Sequence, residues 1–288
     1  MLQVARLAPN LLQEAAERVA DFFRSQFNTD GGARDRAGKS DLYYTVFALE
    51  GLIALRLDPP ADRVRPWLET FKDGEGLDLV HLTCLARCWA ALPKGSLAAE
   101  TSGLIARRIG SFRSSDGGYS ATPGADRGTV YHGFLALGAL QDLDAKPAEP
   151  ARLAHSIATL QLADGSFANQ ADVPAGSTPT TAGAVTALRN LGSPVPPGAA
   201  DWLLERAGPA GGFLAGKEAP LPDLLSTATA LHALSGMKVP LGPVRESTLD
   251  FVDSLWTGKA FCGNWTDEAQ DSEYTWYALL ALGHLSLS

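Results

Sequence analysis

Apolar and polar positions along the chain are organised around one stretch. In residues 40–55 a nearly unbroken apolar run follows Ser40 and Asp41. This predicts a helix that opens at a polar cap and is buried on every side rather than along one stripe. In register, the pattern returns at Asp78, Gly128, Ser177, Asp223 and Asp271. Ten residues past each start stand Gly51, Cys88, Gly138, Ala187, Ala233 and Ala281, small residues of the kind close helix contacts require. By subtraction the starts lie 37, 50, 49, 46 and 48 residues apart, the spacing of stacked two-helix units.

Each apolar helix is preceded by an amphipathic one, over residues 11–27, 62–71, 97–112, 151–162, 199–207 and 243–255. The first carries Leu12, Val19, Phe22 and Phe23 on one side and charges on the other. Gly-centred turns close most of these outer helices: Asp30-Gly31-Gly32, Asp116-Gly117-Gly118-Tyr119, Asp164-Gly165-Ser166-Phe167 and Gly211-Gly212-Phe213. Prolines cluster where one pair gives way to the next, as at Pro59-Pro60 and Pro196-Pro197. The expected architecture is all-α: one domain over residues 1–288, an (α/α)6 toroid of six helix-pair repeats with parallel inner helices. Closure is expected because the first and last apolar helices are as apolar as the middle ones, and an open solenoid would leave them bare.

The net charge of −8 disfavours a broad nucleic-acid or anionic-membrane surface. Residues 1–12 carry no secretory pattern, and no apolar run approaches the roughly 18–20 residues of a membrane span. A soluble, cytoplasmic protein is the expectation. Cys84 and Cys88, four apart on one helix face, read as reduced packing residues.

The turns and the apolar helices that follow them resemble the repeats of protein prenyltransferase β subunits and squalene/terpenoid cyclases. Leu160-Gln161-Leu162-Ala163-Asp164-Gly165-Ser166-Phe167 is similar to the Gln-to-Trp repeat of that family, with Phe in place of Trp. The resemblance spans essentially the whole chain and implies an α/α toroid that handles isoprenoids. Its catalytic motifs are not reproduced. The Asp-x-Asp-Asp acid of the proton-initiated cyclases does not occur; Asp142-Leu143-Asp144 is followed by Ala145. The zinc prenyltransferases imply an Asp-x-Cys and a His within a Tyr-His pair. No Asp-x-Cys exists here, Tyr44 stands at the His position of the segment 42–47, and Tyr131-His132 keeps the pair. No zinc site is therefore expected. The resemblance to β subunits leaves room for a helical partner subunit.

Three residues into the inner helices stand Tyr44, His81, Tyr131, Thr180, Ser226 and Tyr274; six in stand Phe47, Cys84, Phe134, Gly183, Thr229 and Tyr277. Facing an axis, these aromatics suit an isoprenoid chain or a carbocation; the same spacing also serves a closed core. Asp41, Asp78, Asp223 and Asp271 read as N-caps or as a rim of carboxylates able to move a proton. His81 adds an acid/base candidate. The catalytic candidates are Asp41, Tyr44, Asp78, His81, Asp271 and Tyr274. Arg36 and Lys39, in a basic loop before Asp41, match by type and place the Arg and Lys that hold diphosphate in the resembled prenyltransferases. With Phe47, Tyr131, His132, Phe134 and Tyr277 they form the expected substrate-binding set, and Mg²⁺ would bridge the nearby carboxylates to an anion. The leading expectation is an isoprenoid-handling enzyme. Its alternatives are a carbohydrate-active toroid using Trp265, Asp267, Glu268, Asp271 and Glu273, and a non-catalytic scaffold.

Overall fold

The computed structural model describes residues 1–287. Fourteen helices among them carry the fold, joined by turns and one two-residue strand pair. The six apolar helices are α4 (Leu42–Ala54), α6 (Leu79–Ala90), α8 (Val130–Asp142), α10 (Thr178–Asn190), α12 (Leu224–Gly236) and α14 (Ser272–Leu285). The amphipathic helices before them are α3 (Ala15–Ser25), α5 (Ala61–Glu69), α7 (Ala99–Ser111), α9 (Pro150–Ala158), α11 (Ala199–Leu204) and α13 (Gly242–Ser254). Two short helices, α1 (Leu2–Ala5) and α2 (Pro9–Leu12), open the chain, and β1 (Phe213–Leu214) pairs antiparallel with β2 (Pro222–Asp223).

Every apolar helix starts at a side-chain cap: Asp41, Asp78, Thr129, Ser177, Asp223 and Asp271 each accept a hydrogen bond from an N–H of the first turn. This corrects the third start. Gly128 has no side chain to accept the bond, so Thr129 caps α8, taking the His132 N–H at 3.1 Å. Counting from Thr129, the tenth residue is Ala139, fully buried, and Gly138 loses that role. His132 replaces Tyr131 three residues in, and Leu135 replaces Phe134 six in.

The first amphipathic segment is also corrected. It is not continuous over 11–27: Gln13 takes a left-handed φ of 48°, which ends α2 and lets α3 start in a new direction.

One side-chain device repeats. Four residues past the cap, Thr45, Thr181, Thr227 and Thr275 accept the N–H of Ala33, Phe167, Phe213 and Phe261 at 2.8, 3.0, 2.9 and 3.3 Å. Each bond satisfies a buried N–H and fastens a turn to the helix that follows it.

The described chain forms two compact units: residues 1–60 with 203–287, and Ala61–Trp202. In the first, α14 packs between α12 and α4, with α1 and α13 against α14 and α3 against α4. In the second, α8 packs between α6 and α10, with α5, α7 and α9 around them. No described helix is long and apolar enough to cross a membrane.

Candidate active site

Because α4 and α14 are neighbours with equivalent caps, residues at the same distance from Asp41 and Asp271 meet side by side. Two residues in, Tyr43 Oη donates to Glu273 Oε1 at 2.6 Å. Six in, the rings of Phe47 and Tyr277 lie 5.6 Å apart. Ser272 Oγ donates to the Tyr44 carbonyl at 2.9 Å, which fixes the two helices in this register. Tyr43 packs edge-on against Tyr44 at 5.7 Å and Phe47 at 5.0 Å. Fully buried Trp276 backs the layer, 5.6 Å from Phe47 and 5.3 Å from Tyr277. Tyr43, Tyr44, Glu273, Tyr274 and Tyr277 keep part of their surface accessible.

Glu273 is the chemically distinctive group. Burial pushes its carboxyl up to about 7, helped by the charge of Asp271 and opposed by the Tyr43 hydrogen bond and Arg36. Near neutral pH it therefore exists both as acid and as carboxylate, the condition under which one group can give and take a proton.

Arg36 closes one edge of the site. Its Nε donates to Asp271 Oδ2 and its Nη2 to Asp267 Oδ2, both at 2.8 Å, and its guanidinium lies 5.5 Å from the Tyr274 ring centre. These carboxylates hold its pKa above the ordinary arginine value despite partial burial. Burial and the neighbouring Glu273 and Asp223 push the Tyr274 phenol up to about 12. Burial, followed by the charges of Asp271 and Glu273, also raises Tyr44. Gly263 seats Tyr274: a Cβ at that position would lie 2.8 Å from its ring.

The expected residues divide between the two units. Arg36, Lys39, Asp41, Tyr44, Phe47, Asp271, Tyr274 and Tyr277 lie in the first. Lys39 is exposed, its N–H bonded to Asp35 Oδ1 at 2.9 Å, and Asp41 caps α4 through the Tyr43 and Tyr44 N–H groups. Asp78, His81, Tyr131, His132 and Phe134 lie in the second. There Asp78 caps α6 and lies 2.9 Å from His81 Nδ1. Against the cost of burial, the His81 N–H and ring hold the Asp78 carboxyl below its usual range. His132 Nδ1 lies 2.8 Å from Thr129 Oγ1; burial pushes its imidazole down while Asp78 pulls it up. Tyr131 is exposed, and Phe134 is half-buried beside Gly183.

Among the described residues no three His, Cys, Asp or Glu side chains converge as a metal site. His81 and His132 instead hydrogen-bond to the caps of their own helices.

Tyr43 is not among the residues that the sequence singles out, and Glu273 enters there only with the carbohydrate alternative. Their shared place two residues past an Asp cap is the signal that could have found them; the third and sixth positions do not sample it. Of the other carbohydrate candidates, Asp267 and Asp271 are tied to Arg36, while Trp265, though half-exposed, donates to Ser254 Oγ and packs on Phe251.

The family model described as "Prenyltransferase alpha-alpha toroid domain" matches residues 12–71, 82–188 and 184–286. No curated protein matches the chain in sequence. Among solved structures, the Candida albicans protein geranylgeranyltransferase-I complexed with GGPP aligns with a TM-score of 0.63 at 17% identity, over 82% of this chain and 84% of that one. The type II terpene cyclase MstE from Scytonema, without ligand, aligns with a TM-score of 0.64 at 13% identity, over 96% and 98%. A protein from Actinoplanes aligns with a TM-score of 0.62 at 16% identity, over 96% and 99%. At these identities the likeness is one of fold.

Proposed function

Since the chain belongs to the prenyltransferase α/α-toroid family, we propose that it is an isoprenoid-handling enzyme that moves protons on an apolar substrate held against Tyr44, Phe47 and Tyr277. The observation that carries this reading is the Glu273 carboxyl, pushed up to about 7 and bonded by Tyr43 beside an aromatic layer. Structural neighbours give context: the geranylgeranyltransferase is complexed with GGPP, and a variant of MstE with geranylgeranyl dihydroxybenzoate.

In this reading the Glu273 O–H gives its proton to one carbon of a trisubstituted alkene. The π pair forms the new C–H bond, the O–H pair stays on the carboxylate, and the other carbon becomes a tertiary cation. The Tyr43 hydroxyl stabilises the carboxylate, and the faces of Tyr44, Phe47 and Tyr277 attract the cation. A second alkene can attack the cation, its π pair forming a ring C–C bond and passing the charge to another carbon; in either case loss of a proton beside the cationic carbon to Glu273, with the C–H pair forming an alkene, discharges the cation and restores the acid.

Charge supports a neutral substrate. Two carboxylates, Asp267 and Asp271, face the single guanidinium of Arg36, so an anion there meets repulsion. A prenyl diphosphate at Arg36 and Lys39 is the second reading. It is favoured by the partial exposure of both cations and requires Mg²⁺ to bridge the carboxylates.

The deciding experiment is incubation of the protein with acyclic isoprenoid alcohols, hydrocarbons and diphosphates in D2O, followed by mass spectrometry and binding titrations. Deuterium on carbon in the product, abolished by Glu273→Gln with binding retained, is the expected result. Binding confined to diphosphates in Mg²⁺, lost in Arg36→Ala, would establish the second reading. Binding of none would remove both.

A further inference from the structure

Three residues past their caps, Tyr44 on α4 and Tyr274 on α14 hold equivalent places on neighbouring helices. The proton transfer described above uses the ring of the first and nothing of the second. Tyr43 commits its hydroxyl to Glu273. Among the described residues the Tyr44 and Tyr274 hydroxyls have no hydrogen-bond partner, and neither is sealed from solvent.

Both phenols are nonetheless held in place. Tyr44 packs edge-on against Tyr43 at 5.7 Å, and Ser272 Oγ anchors its carbonyl. The Arg36 guanidinium lies over the Tyr274 ring, 5.5 Å from its centre. Gly263 packs against the end of that ring which bears the oxygen, where an added Cβ would stand 2.8 to 2.9 Å from three ring atoms. A phenol fixed by packing whose oxygen has no partner in the protein is a preorganised donor. Burial is the largest cause that raises both phenols, and each also senses the charge of Glu273, so both stay protonated near neutrality within electrostatic reach of that carboxyl.

Three O–H groups, Glu273 in its acid form and two phenols, thus gather at the starts of α4 and α14. A C=C bond has no lone pair for the phenols, so a hydrocarbon laid over them removes their water without replacing it. A hydroxyl oxygen matches all three. Glu273 takes one of its lone pairs, one phenol the other, and the second phenol meets the pair that the oxygen gains as a C–O bond breaks, an interaction made only as the reaction proceeds.

We infer that the site also takes allylic isoprenoid alcohols and dehydrates them, with Tyr44 and Tyr274 donating to the hydroxyl oxygen that Glu273 protonates. The Glu273 proton passes to that oxygen, and the C–O bond breaks with its pair on the oxygen, releasing water. The allylic cation left behind faces Phe47 and Tyr277. A proton on a neighbouring carbon then passes to the Glu273 carboxylate, and the C–H pair forms the second alkene of a conjugated diene; alcohol has become diene and water, and the acid is restored. This rests on the proton-transfer reading of Glu273 and adds to it a substrate class and a role for two hydroxyls.

The test incubates the full chain in D2O with nerolidol, a tertiary allylic alcohol, and with β-farnesene, a hydrocarbon of the same carbon number, and follows products by gas chromatography and mass spectrometry. Wild type is expected to convert nerolidol to farnesenes with loss of water, and Glu273→Gln to abolish this. Tyr44→Phe and Tyr274→Phe keep the rings and remove no hydrogen bond of the protein. Each should melt with wild type while kcat for water loss falls on the order of 100-fold, the usual cost of one such donor. Deuterium entering the carbon skeleton of either compound without water loss would overturn this inference and leave the reading of Glu273 standing. Water loss at the wild-type rate in both phenylalanine variants would overturn the role of the phenols. No turnover of either compound would overturn both the inference and the reading beneath it.

Discussion

Arg36 and Asp271 are 235 positions apart in sequence and 2.8 Å apart in space, joined by a charge-assisted hydrogen bond whose carboxylate side is almost wholly buried. The same carboxylate caps α14, accepting the Tyr274 N–H at 2.9 Å. One aspartate thus starts a helix of the site and ties down the loop that carries Arg36.

Arg36→Ala should therefore leave Asp271 buried without its cation. Since Arg36 itself is 43% exposed, solvent screens part of the loss. A destabilisation of about 1–3 kcal/mol is expected in urea unfolding. Asp271→Ala should cost about 1 kcal/mol beyond that, because the cap goes too.

For Glu273 the sign of the pH effect follows from a folded pKa raised from 4.5 to about 7. Between these values the folded chain binds more protons than the unfolded one, so stability falls as pH rises through the window and is level above it. Glu273→Gln lacks this loss. Relative to wild type it should gain stability from pH 5 to pH 8 in paired urea titrations, and a flat difference would show that the carboxyl is not held neutral.

His284 works in the opposite direction. Burial lowers its imidazole from 6.5 to about 4. Above 6.5 both states are neutral; as pH falls from 6.5 to 4 the unfolded chain takes up a proton that the folded chain refuses, and stability is lost. The nitrogen-15 signals of His284 should still report a neutral ring at pH 5.5.

Two glycines test the helix register. A Cβ on Gly51 would stand 2.3 Å from the Phe23 ring, whereas one on Gly138 meets nothing within 4 Å. Gly51→Ala should lower stability by about 1–3 kcal/mol through overpacking. Gly138→Ala should be neutral or raise it by up to about 1 kcal/mol through helix propensity. Thermal melts of both variants check the pair.

We propose that the chain unfolds as a single domain. The chain passes between its compact units twice, at Pro60–Ala61 before α5 and at Trp202–Leu203, and the second crossing falls inside α11 rather than in a linker. One calorimetric transition is expected; two resolved transitions would count against it.

The sequence by itself determined the helical repeat. An all-round apolar helix behind a short polar residue has one economical solution, burial with a capped start, and that logic located Asp41, Asp78, Ser177, Asp223 and Asp271 as caps. It slipped by one at Gly128 because periodicity tolerates a neighbouring start, whereas a cap needs a side-chain oxygen, which Thr129 has. The Asp-Gly turns were legible too, since local backbone conformation depends on adjacent residues.

What only the tertiary structure decided is which charges meet. Arg36 read as a cation awaiting an anion; packing places it on Asp267 and Asp271. Glu273 read as one more carboxylate; burial beside Tyr43 makes it an acid near neutrality. Both outcomes depend on desolvation and on partners more than 200 residues away, and neither quantity is a property of a residue's sequence neighbours. Helix starts are local and were written in the chain, whereas the protonation state of the site arises from its packing.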